Sequence, residues 1–397
     1  MENSGWKEVK LGDYVDSISK TFKFTEKEVV FLNTSDVLEG KVLNKKYESA
    51  IGLPGQAKKS IQKGDLLFSE IRPANKRYAR IDFDCEDYVV STKLMVLRSQ
   101  GDLDPIFLEL YLTSAEILDY LQMIAEDRSG TFPQITFDII SKLELKLPPL
   151  PEQKAITSVL SSLDDKIDLL QQQNQTLEAL AETLFRQWFI EEANEDWEEV
   201  TLGSLIDIFG GYSYKGNKIG QGSSYLLGMG CVSYSDRFLY SGMRKYDEEV
   251  NNKYLVEKGD IVIATRQQSD NLPILGAPAI IPEIDKNYKV IVGTNLYKVV
   301  NNSNLNYYSL YRLLKSSEYK NFIKSNAKGS TVRMITKDAI LSFPILLPPN
   351  STVNKLNKEL SSLNNKIELN NSQVQILTHL RDTLLPKLMS GELKVKM

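Results

Sequence analysis

The 397-residue sequence contains one histidine, two cysteines and no long apolar run. The single histidine, His379, argues against a catalytic triad or a zinc site built on imidazole groups. Cys85 and Cys231 alone cannot form a disulfide framework, so free thiols are expected. No segment approaches the ~20 apolar residues of a membrane span, and the opening MENSGWKEVK lacks the apolar core of a signal peptide. These absences predict a cytoplasmic protein.

The sequence also has fewer basic than acidic residues. The formal net charge is −4, and acidic residues outnumber basic residues between positions 1 and 150. Because non-specific affinity for nucleic acids comes from cationic side chains, a DNA-binding function has to rest on local basic patches or on partners that supply positive charge. The apolar fraction of 42% is that of an ordinary globular protein, and the length is sufficient for two or three domains.

A heptad pattern runs through residues 151–190. Apolar residues recur at alternating spacings of four and three, and the only proline stands at the start, where a missing N–H costs nothing. At ~1.5 Å per residue, the stretch from Ile156 to Trp188 spans roughly 50 Å as a helix. A helix of this length with a narrow apolar stripe needs a partner helix.

The partner pattern lies in the same chain. SSLDDKI at positions 161–167 returns as SSLNNKI at positions 361–367. Pro386 should end the second helix after Leu385, because proline cannot continue a helix. The two patterns predict a coiled coil with the seam residues Ile156, Leu160, Leu163, Ile167, Leu170, Asn174, Leu177, Leu184, Leu356, Leu360, Leu363, Ile367, Asn370, Val374, Leu377 and Leu384.

Two asparagines on the seam suggest how the helices meet. An antiparallel register, in which paired residue numbers sum to 544, places Asn174 opposite Asn370. A buried asparagine costs stability unless it is paired, and a paired asparagine fixes the register. The same register puts Leu163 opposite Arg381. The alternative is that both asparagines lie at solvated edges of the seam.

The remainder of the chain is also repeated. Trp-x-x-Val-x-Leu-Gly occurs from Trp6 and again from Trp197, and Lys-Gly-Asp at 63–65 returns at 258–260. Each copy starts with short strand patterns and ends with one helical pattern, which in the first copy begins at Pro105. This order predicts an α+β chain with globular domains at 1–147 and 196–347, a first helical spacer at 148–195 and a second at 348–397.

Three motifs connect the chain with a known family. They are the two Trp-x-x-Val-x-Leu-Gly openings, LPPLPEQKAI at 147–156 and TLLPKLMSGEL at 383–393. With these motifs, the whole chain resembles the specificity subunit of a type I restriction-modification system. The resemblance implies two target recognition domains, each reading one half of a bipartite DNA site. The order of domains and helices itself predicts a pseudo-two-fold, circular arrangement, because the chain closes into a ring most simply when the two long helices form an antiparallel coiled coil.

The resemblance further implies partners. The helices are expected to set the spacer between half-sites and to dock two methyltransferase subunits, which bind S-adenosylmethionine and methylate adenine at N6. Restriction subunits, which combine a motor and a nuclease and use ATP and magnesium, complete an enzyme that cleaves unmodified DNA. This chain itself is expected to bind no cofactor or metal. LPPNSTV at 347–353 lacks the Pro-Glu-Gln of the first copy, so one docking face is expected to be weaker.

Catalytic motifs are missing from the sequence. An adenine methyltransferase needs an Asn/Asp-Pro-Pro-aromatic clamp, and the nearest string begins at Asn271 and lacks the second proline and the aromatic residue. No Walker loop occurs, and Gly228-Met-Gly lacks the rest of a nucleotide-binding loop. The sequence therefore predicts a non-catalytic subunit. The enzyme alternative, a self-sufficient methyltransferase, requires that the chain alone bind S-adenosylmethionine.

Candidate DNA-contacting residues follow strand patterns or precede a repeated Ile-Thr pair. Arginine can read guanine, asparagine and glutamine can read adenine, and lysine neutralises phosphate. The alternative is a solvated surface loop for the residues that follow strands and a simple turn for those that precede the Ile-Thr pair. The candidates are Arg72, Asn75, Lys76, Arg77, Tyr78 and Arg80, then Arg128, Thr131 and Gln134, then Arg266, Gln267, Gln268 and Asn271, then Lys328, Ser330 and Arg333, with Tyr212 and Tyr214 as weaker candidates.

A competing interpretation requires no contact with DNA. A coiled-coil scaffold or adaptor could pair other proteins, and the acidic first domain slightly favours this function. In that case, replacing Arg72, Lys76 and Arg77 together leaves DNA methylation unchanged.

Overall fold

The structure, a computed structural model, describes residues 5–128, 133–267, 274–329 and 332–395. The chain divides into two compact units. The first unit is Met1–Leu169 with Gln373–Met397, and the second unit is Leu170–Ser372. None of the helices in the described ranges has both the length and the apolar character needed to cross a bilayer.

The first unit is built from two small sheets flanked by helices. Its strands are β1 (Lys7–Lys10), β2 (Val15–Ser17), β3 (Glu28–Leu32), β4 (Val37–Leu38), β5 (Lys41–Val42), β6 (Glu48–Ser49), β7 (Ala57–Ser60), β8 (Leu66–Ser69), β9 (Tyr78–Arg80), β10 (Tyr88–Ser91), β11 (Leu94–Ser99) and β12 (Glu144–Leu147). Its helices are α1 (Pro105–Leu112), α2 (Ala115–Arg128), α3 (Phe137–Ser141) and the first part of α4 (Leu150–Arg186).

Strand order in the first unit combines an antiparallel and a mixed sheet. One sheet has the order β2-β11-β8-β9 and is antiparallel throughout. The other has the order β6-β3-β10-β7, and its central strands β3 and β10 run parallel. β1 pairs with β12, which ties the start of the chain to the segment that leads into α4.

The second unit repeats this plan. Its strands are β13 (Glu198–Thr201), β14 (Ile206–Gly210), β15 (Ile219–Leu227), β16 (Arg244–Tyr246), β17 (Leu255–Val256), β18 (Ile261–Ala264), β19 (Arg266–Gln267), β20 (Pro278–Ile280), β21 (Lys289–Val292), β22 (Leu296–Asn301), β23 (Arg333–Met334) and β24 (Pro344–Leu347). Its helices are α5 (Tyr307–Lys315), α6 (Ser317–Ser325), α7 (Lys337–Leu341) and the first part of α8 (Asn350–Met389). The sheet orders β14-β22-β18-β20 and β16-β15-β21-β17, with β15 and β21 parallel, match those of the first unit.

The repeated Lys-Gly-Asp motif forms a turn that places a carboxylate beside a cationic side chain. Gly64 has a φ of +95°, a conformation that side-chain-bearing residues avoid. Asp65 is fully buried and accepts hydrogen bonds from Arg98 Nε at 2.7 Å and Nη2 at 2.9 Å. In the second copy Asp260 lies 3.6 Å from Lys298 Nζ. The motif therefore has a structural role in both copies.

Both long helices contribute side chains to the globular cores. In the first unit, Ile156 of α4 and Leu388 of α8 belong to the core that also contains Phe107 of α1. In the second unit, Phe185 of α4 and Leu356 of α8 belong to the main core. The helices are thus structural parts of the globular domains as well as partners of each other.

The expected end of the second helix at Leu385 is wrong, because α8 continues through Pro386 to Met389. A proline this close to a helix end removes only one of the last backbone hydrogen bonds. Leu388, on the final turn, is 4% exposed and packs in the core of the first unit. Burial of this turn explains why the helix extends past the proline.

The single helix expected after Pro105 is two helices, α1 and α2, and its counterpart is divided into α5 and α6. Hydroxyl side chains lie at both breaks. Thr113 Oγ1 donates to the Glu109 carbonyl oxygen at 2.8 Å, and the Ser316 hydroxyl accepts from the Tyr319 backbone N–H at 3.2 Å. Such local hydrogen bonds compete with helix continuation and cap the following helix.

The seam asparagines contact each other within the second unit. Asn370 Nδ2 donates to Asn174 Oδ1 at 2.9 Å, and Asn174 Nδ2 donates to Asn371 Oδ1 at 2.7 Å. These are the neighbours that an antiparallel register summing to 544 requires. The register places Arg381 opposite apolar Leu163. Within the first unit, the Arg381 guanidinium has a polar partner beside that leucine, because its Nη1 donates to Asp164 Oδ1 at 2.9 Å.

All the predicted seam residues are at least half-buried. The buried ones are Ile156, Leu160, Ile167, Leu170, Leu356, Leu360, Ile367 and Asn370. The half-buried ones are Leu163, Asn174, Leu177, Leu184, Leu363, Val374, Leu377 and Leu384.

The Pro-Glu-Gln motif before α4 has internal partners. Trp6 Nε1 donates to Glu152 Oε2 at 3.0 Å, and buried Gln153 accepts from the Asp104 backbone N–H at 2.8 Å. In the second copy the corresponding Val353 is 1% exposed and lies in the apolar core. The two copies therefore differ here in internal packing, and the weaker docking face expected from the sequence stays a prediction.

Candidate nucleic-acid interface

The loop that follows β8 has a strained backbone. Arg72 and Lys76 have φ values of +45° and +52°, in the left-handed region that costs a non-glycine residue about 1–2 kcal/mol. Between them Pro73–Asn75 form one 3₁₀ turn. The Ala74 backbone N–H donates to Gln122 Oε1 of α2 at 3.0 Å, which seats the turn on that helix. Strain held in place by neighbouring contacts is common at functional loops.

This loop presents Arg72 and Asn75 to solvent. Both side chains are exposed, and neither has a polar side-chain contact with any described residue. Lys76 is exposed as well, and its Nζ lies 3.1 Å from Glu39 Oε1. Because an exposed ion pair contributes little free energy, Lys76 can exchange Glu39 for a phosphate.

The other candidates in this stretch already have internal partners. Arg77 Nη1 donates to the Val37 carbonyl oxygen at 3.3 Å, and Arg80 Nε donates to Glu109 Oε2 at 2.9 Å. Burial raises the pKa of Tyr78 to about 12, and the ring is half-buried. Sequence reasoning missed Glu109 because it lies on a helix 29 residues away, with no local signal that links it to Arg80.

The segment before the Ile-Thr pair lies against this loop. The Arg72 backbone N–H donates to the Pro133 carbonyl oxygen at 3.1 Å, and Ile71 forms an antiparallel bridge with Gln134. Gln134 is half-buried, and Arg128 is exposed at the end of α2. The structure thus brings together two clusters that the sequence separates by more than fifty positions.

The same arrangement recurs in the second unit. β19 and β23 pair antiparallel, with Arg266 opposite Met334 and Gln267 opposite Arg333. Arg266 and Lys328 are exposed, Arg333 is half-buried and Gln267 is 7% exposed. By these pairings Gln267, not Arg266, corresponds to Arg72 of the first unit. The candidates Thr131, Gln268, Asn271 and Ser330 lie outside the described residues.

The weaker candidate Tyr212 lies beside a carboxylate with strong donors, and the ring of Tyr214 lies 6.5 Å from that of Tyr246. Lys215 Nζ, the Tyr246 hydroxyl and the Tyr212 hydroxyl all donate to Glu248, at 2.9, 2.7 and 2.9 Å. These donors lower the pKa of Glu248 to about 2. Tyr212 is therefore engaged internally, whereas Tyr214 is 37% exposed.

Replacing Lys76 with glycine should stabilise the first unit by about 0.5–1 kcal/mol, because glycine adopts a positive φ without a steric penalty. The gain should appear as a higher urea midpoint for the first unit, measured by hydrogen exchange. Lys76→Ala is the control, since it also removes the Glu39 ion pair but retains Cβ. Equal midpoints for the two variants would show that the backbone at Lys76 is not strained.

The fold and the interface define a class: a duplicated α+β domain whose two copies each place exposed basic residues beside a short antiparallel pairing. The chain belongs to the family described as type I restriction modification DNA specificity domain, whose model matches residues 3–179 and again residues 194–379. This match confirms the predicted family.

Individual relatives agree with the family. The chain is 51% identical over 190 residues to the HindI specificity subunit of Haemophilus influenzae, a match that covers 47% of this chain and 41% of that protein. It is 28% identical over 300 residues to the MjaIX specificity subunit of Methanocaldococcus jannaschii, covering 68% of this chain and 66% of that protein. A solved type I S subunit from M. genitalium shares the fold, with a TM-score of 0.60, 17% identity and coverage of 98% and 97%.

Proposed function

We propose that this chain is the DNA-recognition subunit of a type I restriction-modification complex, with each unit reading one half of a bipartite site. The main support is a contact that occurs in both units: a loop with exposed basic residues pairs with a short extended segment. For reading bases, the first unit offers Arg72 and Asn75, and the second offers Arg266. Because these side chains differ in hydrogen-bonding chemistry, they suit two different half-sites.

Within each interface the exposed cations have separable roles. Lys76, Arg128 and Lys328 are exposed and suited to phosphate contacts, which set orientation without reading sequence. Arg72 and Asn75 are exposed on a loop that is hydrogen-bonded to α2, and they suit hydrogen bonds to base edges. Since the chain carries a net charge of −4, affinity depends on these local groups and should fall steeply with salt.

The long helices set the spacer and dock two methyltransferase subunits in this proposal. Ile376 and Leu380 support docking, since they lie one turn apart on α8 and are 66% and 42% exposed. The methyltransferase subunits bind S-adenosylmethionine, and restriction subunits use ATP and magnesium. This chain acts in the cytoplasm, performs no chemistry itself and binds no cofactor.

Mapping N6-methyladenine across a genome that carries this chain and its methyltransferase tests the proposal. We expect a gapped two-part motif that disappears when this chain is deleted. If the methyltransferase is active but no motif depends on the chain, the coiled-coil scaffold is the better explanation.

A further inference from the structure

A network of polar contacts joins the second globular domain to both long helices within the second unit. Glu178 of α4 accepts hydrogen bonds from Arg237 Nε and Arg312 Nη2. Arg237 also donates to Asn364 of α8 through Nη1. Asn364 Nδ2 in turn donates to Glu368 Oε1 at 2.9 Å. Arg237 and Arg312 belong to the domain, whereas Glu178, Asn364 and Glu368 belong to the long helices.

Glu368 extends the network to two further elements of the domain. Lys258 Nζ lies 2.9 Å from Glu368 Oε2, and the Tyr308 hydroxyl donates to Glu368 Oε1 at 3.2 Å. Lys258 belongs to the turn before β18, and Tyr308 lies on α5. The domain is therefore attached to the helices by directional contacts from several elements.

The centre of this network is shielded from water. The side chains of Arg312, Arg237 and Glu178 are 6%, 18% and 25% exposed, and Asn364 is 2% exposed. Burial raises the pKa of Glu178, but Arg237 and Arg312 outweigh it and hold the pKa below its usual value. Separating a partly buried charge from its partners costs more free energy than separating an exposed pair. The network therefore resists movement of the domain relative to the helices.

The first unit attaches its domain differently. Leu108 and Leu112, on α1, are 1% and 0% exposed, where the second unit has tyrosine and arginine two hundred positions later. Thr378 occupies the position that corresponds to Glu178. Among the described polar contacts between this domain and the long helices is the ion pair between Lys41 and Asp168, whose side chains are 60% and 44% exposed. Apolar packing therefore takes the place of the Glu178 network at these positions, although buried Gln153 of α4 donates to the Asp102 carbonyl oxygen at 2.7 Å and accepts from the Asp104 backbone N–H at 2.8 Å.

We propose that Glu178 is a positioning residue that fixes the orientation of the second recognition domain on the helices and so makes the complex selective for one spacer length. One extra base pair shifts a half-site by about 3.4 Å and rotates it by roughly 35°. Apolar contacts tolerate small rotations because they are non-directional. Hydrogen bonds weaken when the donor–acceptor distance grows by a few tenths of an ångström or the bond angle changes by tens of degrees. This inference rests on the proposed function.

The test compares methylation rates on DNA with identical half-sites and three spacers: the spacer found by genome mapping and spacers one base pair shorter and longer. The full-length chain is assembled with its methyltransferase. Glu178→Gln removes the carboxylate charge, and Glu178→Thr with Arg312→Leu copies the residues of the first unit. Asp168→Asn is the matched control, because it neutralises an exposed carboxylate whose pairing contributes little.

We expect wild type and Asp168→Asn to prefer the natural spacer to the same degree. In both Glu178 variants, the ratio of the methylation rate on the natural spacer to that on the altered spacers should be about tenfold smaller, which corresponds to ~1.4 kcal/mol. The ratio between spacers does not depend on how much of each sample is folded. In the double variant Arg237 keeps only Asn364 as a side-chain partner among the described residues, so thermal stability should fall below that of wild type while the spacer preference stays relaxed.

Unchanged preference in both Glu178 variants would overturn the inference and leave the proposed function intact. Equal loss of methylation on all three spacers would also overturn it, because Glu178 would then serve stability alone. If wild type methylates no two-part site, the proposed function fails and the inference fails with it.

Discussion

Replacing Leu388 with alanine should lower the unfolding free energy of the first unit by about 2–5 kcal/mol, the usual cost of a large-to-small change in a core. Leu388 is 4% exposed and packs in the core that contains Phe107 and Ile156. It lies on the last turn of α8, far from that core in sequence. The loss should therefore be confined to the first unit, although the change is near the chain end.

Leu380→Ala is the control for this prediction. Leu380 lies on the same helix but is 42% exposed, so the same truncation should change stability by less than about 0.5 kcal/mol. Urea titrations followed by hydrogen exchange would assign the loss to peptides from the first unit. Equal effects of the two variants, or a loss confined to the second unit, would contradict the assignment of Leu388 to this core.

Replacing Arg72 with alanine should weaken binding to the cognate site by about 1–3 kcal/mol, or roughly 5- to 150-fold, as expected for one base-reading arginine. Arg72 is exposed beside a 3₁₀ turn that is hydrogen-bonded to α2, and it has no side-chain partner among the described residues. Its removal should leave the fold unchanged, because it breaks no internal hydrogen bond of the side chain. Binding should be measured by fluorescence anisotropy at fixed salt, on cognate and scrambled DNA.

Lys166→Ala is the charge-matched control, since Lys166 is exposed on α4 and removing it also subtracts one positive charge. We expect it to reduce affinity for both DNAs slightly and equally. Arg72→Ala should reduce cognate binding much more than scrambled binding. Equal losses on the two DNAs would assign Arg72 to phosphate contact instead of base reading.

Much of the architecture could be predicted because it is periodic. The heptad spacing fixes which helix face is buried, and the seam asparagines give the register seen between Asn174 and Asn370. The repeated Lys-Gly-Asp marks equivalent turns because only glycine tolerates their backbone conformation. Such signals are local or repeat at a constant distance, so they are visible without a structure.

The roles of individual charged residues could not be predicted in this way. Arg80 and Arg72 are close in sequence, yet Arg80 pairs with Glu109 and Arg72 faces solvent. The partners of Glu178 come from positions 59 and 134 residues away. Tertiary packing determines these ion pairs, and no local sequence pattern predicts them. The helix end at Met389 was missed for the same reason, since the core that holds Leu388 comes from the other end of the chain.

A domain exchange tests the central claim most directly. Residues 197–347 are replaced with the corresponding segment of a relative that directs a different motif, and N6-methyladenine is mapped across the genome. The account predicts that one half of the two-part motif changes, while the other half and the spacer stay the same. A motif that changes in both halves, or in neither, would contradict the assignment of one half-site to each unit.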